Sequence, residues 1–186
     1  MKNLGTAELT RQERGILATS AYARYLDDFS SADRARASTV QQPVLLNRDR
    51  KYYSRGRAVV ITWQDIGQPL PKWFDPLMQG FVDLLTLPPN WDSYDAVTIE
   101  PKAVDAAMAF IHGLLGPMSA VPRVVPLADG GLQLEWHRHG IDLEIVFENG
   151  EQPYFFHKNR ITDEESDYAL PENNHLLKSI IARLTE

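Results

Sequence analysis

Cysteine is absent from this 186-residue chain, which excludes a disulfide framework, Cys-ligated zinc and a thiol nucleophile. No apolar run approaches the length needed to cross a bilayer, and the opening MKNLGTAELTRQERG lacks the apolar core of a secretory leader. A soluble cytoplasmic protein with no membrane partner is therefore expected. Nucleotide-binding glycine patterns are also missing, because Gly130-Gly131 falls in a turn and not in a phosphate loop after a parallel strand. No serine stands in a Gly-x-Ser-x-Gly context, so serine-hydrolase chemistry has no motif here. What is present is a hydrophobic fraction of 44% with 10% aromatics, enough for a folded core. The net charge of −6 is unevenly spread: the first 60 residues carry 11 basic and 6 acidic groups, the remainder 8 and 19.

Periodicity divides the chain into a helical segment with a small polar linker over 1–42, and an α+β domain over 43–186. Within the latter, 43–87 reads as a basic hairpin plus a helix, 88–158 as a helix plus a sheet, and 159–186 as a loop and a C-terminal helix. Pro101 opens the best-marked helix, about 101–115, with Val104, Ala107, Met108 and Ile111 on one face. The final helix, from about Asn173 to Leu184, carries Leu176, Leu177, Ile180, Ile181 and Leu184 as its stripe.

Three turn signals organise residues 123–157 into a four-stranded antiparallel meander packed on the 101–115 helix. Asp129-Gly130, His139-Gly140 and Asn149-Gly150 are read as two-residue hairpin loops. The first then sets Leu127 opposite Leu132 and Val125 opposite Leu134. The second sets Leu134 opposite Ile145 and Trp136 opposite Leu143. The third sets Ile145 opposite Tyr154 and Leu143 opposite Phe156, so that all of these share one apolar face.

The same register gathers Gln133, Glu135, His137, Asp142, Glu144 and His157 on the opposite face. Glu135 lies opposite Glu144, and like charges across a ladder repel, so a basic side chain, a partner or a cation should compensate. Asp142 between His137 and His157 would give two imidazoles and a carboxylate, a candidate divalent-metal set. A second candidate surface is the basic stretch Arg48, Arg50, Lys51, Tyr52, Tyr53, Arg55 and Arg57, where cations neutralise phosphates and tyrosines stack on bases. Nucleic acid or an acidic protein would fit it.

From Leu87 to Gly150 the chain resembles a widespread set of uncharacterised bacterial proteins. The matching residues are LPPNWDSYDA at 87–96, Ile99, Pro101, the run from Pro126 through DGGLQLEWH at 129–137, and DLEI at 142–145. The resemblance implies a helix followed by a β-meander and transfers no activity. Relatives carry glycine where this chain has Ser93 and Asp95, so the loop after Trp91-Asp92 is expected to be shaped differently. Asp92 is expected to bond loop amides and Trp91 to bury its ring. Taken together, the expectation is a non-catalytic binding or adaptor protein with a protein partner, capable of self-association, in a bacterial toxin-neutralisation or phage-defence system. The alternative is a metal-dependent hydrolase or nuclease using Glu135, His137, Asp142, Glu144 and His157.

Overall fold

The computed structural model describes residues 46–65 and 69–186. The helix expected before residue 30 and the linker after it lie outside the described residues. Two compact units are present, one containing the hairpin and the other spanning Leu70–Glu186.

In the first unit β1 (Leu46–Ser54) pairs with β2 (Arg57–Asp65) through a two-residue loop. Arg55 and Gly56 both have positive φ, +48° and +75°, the requirement of a type I′ turn that matches strand twist. Alternation then separates two faces: Tyr52, Ser54 and Ile61 are buried, while Lys51, Tyr53 and Val60 are exposed.

The second unit is built on one five-stranded antiparallel sheet in simple sequential order. Its strands are β3 (Arg123–Pro126), β4 (Leu132–Arg138), β5 (Ile141–Phe147), β6 (Tyr154–Asn159) and β7 (Glu164–Ala169). The fifth strand extends the expected four-stranded meander. Its sequence, EESDYA, has no apolar alternation because it is an exposed edge whose carboxylates discourage further pairing.

Three helices are described in this unit: α1 (Phe74–Leu85), α2 (Pro101–Leu114) and α3 (Asn174–Thr185). All lie on one face of the sheet. Gly80 of α1 abuts Val124, and Phe110 of α2 meets Phe147 edge-on at 5.9 Å. The hydroxyl of Thr185, at the end of α3, accepts from the Ala120 amide, whose carbonyl in turn receives the Trp136 indole N–H at 2.9 Å. Leu132, Leu134, Trp136, Leu143, Ile145, Phe147 and Phe155 point into this layer and are at most 3% exposed. The helices supply Leu77, Phe81, Val104, Ile111, Leu177 and Leu184, so burial of apolar area holds both layers together.

Only the middle hairpin has the expected register: Leu134 faces Ile145 and Trp136 faces Leu143, across His139 and Gly140 at φ +52° and +73°. The flanking pairs are each one residue off. Val124, not Val125, faces Leu134, and Ile145 faces Phe155, not Tyr154. Neither flanking loop is a two-residue turn, because both are organised by side chains. Asp129 Oδ1 accepts from the Gly131 amide and Oδ2 from the Asn149 amide, each at 2.9 Å, while Asn149 Nδ2 donates back to the Asp129 carbonyl. Pro153, without an N–H, cannot donate to the ladder.

Asp105 on α2 shows the cost of a carboxylate on a half-buried helix face. Burial pushes its pKa from 3.8 to about 6. In the unfolded chain it ionises near 3.8, so it costs nothing below that pH and lowers stability as pH rises through about 6. Asp105→Asn is expected to gain about 1 kcal/mol at pH 8, discounted for solvent contact, and nothing at pH 4. Urea unfolding at the two pH values measures this.

Candidate binding face of the sheet

The face turned away from the helices carries Gln133, Glu135 and His137 from β4, Asp142, Glu144 and Val146 from β5, and Tyr154, Phe156 and Lys158 from β6. Strand alternation places them there once the core side has taken Leu134, Ile145 and Phe155. Glu135 lies directly opposite Glu144, as expected, and His137 opposite Asp142.

Two side chains bond to the paired glutamates, and Arg123 of β3 is the cross-strand neighbour of Glu135. Gln133 Nε2 donates to Glu135 Oε1 at 3.0 Å. His137 places Nδ1 2.6 Å from Asp142 Oδ1 and Nε2 3.4 Å from Glu135 Oε2. The hydrogen bond to Asp142, with further help from Glu135, raises the His137 pKa against the opposing effect of burial. Glu144 is itself harder to ionise, first because of burial and then because of Glu135. Burial also pushes Asp142 upward, but Arg160 and His137 together outweigh it and hold the carboxyl below its usual value. Lys158 is bound to Asp163 at 2.9 Å and Glu165 at 3.0 Å. Arg160 and Lys158 were not among the expected site residues; both sit at or beyond the end of β6, where only the corrected register brings them beside Asp142.

His157 is not part of this face. It pairs with Leu143 and Ser166 and points toward the helices, whereas Asp142 pairs with Lys158. The one-residue shift of β6 therefore removes His157 from the expected set with His137 and Asp142. Both ring nitrogens of His137 face carboxylates, an arrangement that favours the doubly protonated ring, in which neither nitrogen carries a lone pair for a metal. Among the described residues no group of three His, Asp or Glu side chains could hold a metal ion. Of the residues in the hydrolase alternative, Glu135, His137, Asp142 and Glu144 stay on this face and His157 does not.

Comparison with protein families, with curated proteins and with solved structures finds no match for this chain. Its own geometry therefore carries the functional argument.

Among the described side chains of the basic hairpin, strand alternation divides the expected contact residues between two faces. Tyr52 is buried, and burial raises its pKa, so its ring is not offered for stacking. Lys51 and Tyr53 are exposed on one side, Arg50 alternates to the other, and Arg55 occupies the turn. Arg48 pairs with Trp63 and Arg57 with Ser54 in the ladder.

The loop after α1 is tightly determined. Asp92 Oδ1 accepts from the Tyr94 and Ala96 amides at 2.8 and 3.1 Å, and Asn90 Oδ1 from the Asp95 amide at 2.8 Å. Ser93 and Asp95 adopt the left-handed conformation that glycine favours, φ +66° and +69°. Trp91 is half-buried with its indole N–H on the Val97 carbonyl, and Tyr94 stands 87% exposed. Among the described residues no helix is long and apolar enough to cross a membrane.

Proposed function

We propose that this chain is a non-catalytic binding protein that takes a basic segment of a partner protein on the second face of its sheet, around Glu135 and Glu144. The observation that supports this best is two glutamates opposed across a ladder: Arg123 is the cross-strand neighbour of Glu135 on β3, yet among the described residues no lysine or arginine forms an ion pair with either carboxylate. Such a pair costs stability in the isolated fold, and a partner's guanidinium or ammonium placed between the carboxylates would relieve it. Phe156, opposite Glu144, and Tyr154 beside it add half-buried aromatic surface of the kind cations pack against. A bacterial toxin-neutralisation or phage-defence setting is the one we propose, on the resemblance alone.

Anisotropy titration with a fluorescein-labelled hexa-arginine peptide tests this reading. Binding that weakens as salt rises is expected, with Glu135→Gln/Glu144→Gln losing about tenfold in affinity, ~1.4 kcal/mol. The same double substitution should leave the melting temperature unchanged or raised, since it removes a repulsion. Equal affinity in wild type and variant, or an equal loss in Glu151→Gln/Glu172→Gln, whose carboxylates are exposed elsewhere, overturns the assignment.

A further inference from the structure

His157 is half-buried on the sheet face that packs against the helices. It faces the helical layer in the same cross-strand row as Trp136 and Leu143, both at most 2% exposed. Its Nε2 is buried and has no hydrogen-bond partner. The end of α3 is tied to that row, because Thr185 binds Ala120 and Ala120 binds the Trp136 indole. A neutral imidazole can leave Nε2 as an unused lone pair there, whereas protonation turns this buried atom into an N–H donor without an acceptor.

We propose that His157 is an acid-sensitive latch beneath the C-terminal helix: protonation of its ring loosens α3 from the sheet and uncovers the stripe Leu177, Ile180, Ile181 and Leu184. The charged surroundings favour this outcome. From α3 the group acting on His157 is Arg183, a like charge once the ring is protonated. From β5 the ring faces Leu143 and from β7 Ser166, neither of which ionises in this range. The neighbouring carboxylates Asp142, Glu144 and Asp167 alternate to the other face of the sheet. Burial, and then Arg183, hold the His157 pKa below its ordinary 6.5. The sign follows from linkage: the unfolded or released segment takes up its proton first, so anchoring of α3 weakens as pH falls below 6.5 toward the folded-state value.

The remainder of the unit responds in the opposite sense. His137, Glu144 and Asp105 all have raised pKa values, so acidification into this range relieves or strengthens their environments. A global melting temperature would mix these contributions, and the latch needs a local measurement. Hydrogen exchange of the 176–186 amides, corrected for intrinsic rates, is expected to show protection falling as pH drops from 7.5 to 5. One proton limits the fall to about tenfold per pH unit. His157→Gln should keep protection flat over that range. Carbon-detected NMR titration of the His157 ring in the wild type needs no variant and should give a midpoint below that of a free histidine. A midpoint at or above the free value, pH-independent protection in the wild type, or an undiminished fall in His157→Gln overturns the proposal.

Discussion

Phe155→Ala is expected to destabilise the protein by about 4 kcal/mol, whereas Phe156→Ala and Tyr154→Ala should each cost less than about 1.5 kcal/mol. Phe155 is fully buried against Leu134 and Ile145 in the same row and stacks on Tyr168 at 4.9 Å with an interplanar angle of 20°. Truncation leaves a cavity that neighbouring β-strands cannot close without breaking ladder bonds, and it removes the aromatic pair. Phe156 and Tyr154 are half-buried on the other face, where water replaces the lost ring. The comparison is decisive because the two registers make opposite predictions. If Leu143 faced Phe156, as a two-residue Asn149-Gly150 turn requires, Phe156→Ala would be the damaging substitution. Urea unfolding of the three variants at one pH distinguishes them, and a larger loss for Phe156→Ala than for Phe155→Ala excludes the arrangement described here.

This contrast marks where local sequence signals suffice. Pro101 and the spacing of Val104, Ala107 and Ile111 place α2 closely, since a helix start and an apolar stripe are local properties. His139-Gly140 fixes β4 against β5 because that loop really has two residues, and it is this hairpin alone that opposes Glu135 to Glu144. The neighbouring turns contain equally strong dipeptides but are held by Asp129 and Asn149 reaching across about twenty residues of sequence, a contact no local pattern encodes. One extra residue in a loop inverts every side chain that follows. His157 accordingly moved from the candidate metal set to the core side, and Phe155 took the place expected of its neighbours. The acidic edge β7 escaped detection for a different reason: an exposed strand needs no alternation, so hydrophobic periodicity is silent about it. The basic stretch 48–57 is legible as a hairpin, but proximity along the chain does not reveal that strand alternation directs successive residues to opposite faces.

The interlocked turns yield the second large expected effect. Gly131→Ala should cost about 3 kcal/mol or more and lower the melting temperature by roughly 10 °C. A Cβ at this residue would lie 2.3 Å from the Phe147 carbonyl oxygen and 3.0 Å from both Asp129 Oδ1 and the Glu148 Cα. Two of those neighbours are backbone, so relief requires moving one turn away from the other. Separation would break the bonds from the Gly131 and Asn149 amides to the Asp129 carboxylate, each worth about 1 kcal/mol or more for a charged acceptor. Gly150→Ala is the matched comparison: Gly150 has φ +89° but open space around its would-be Cβ, so that substitution pays only for backbone conformation, about 1–2 kcal/mol. Gly131 lacks a positive φ and pays only for contact. Thermal melts that rank Gly131→Ala clearly below Gly150→Ala support turns packed at carbonyl distance. Equal losses would mean that the two turns stand apart. The side-chain link from Asp129 to Asn149 would then no longer account for the β3 and β6 registers.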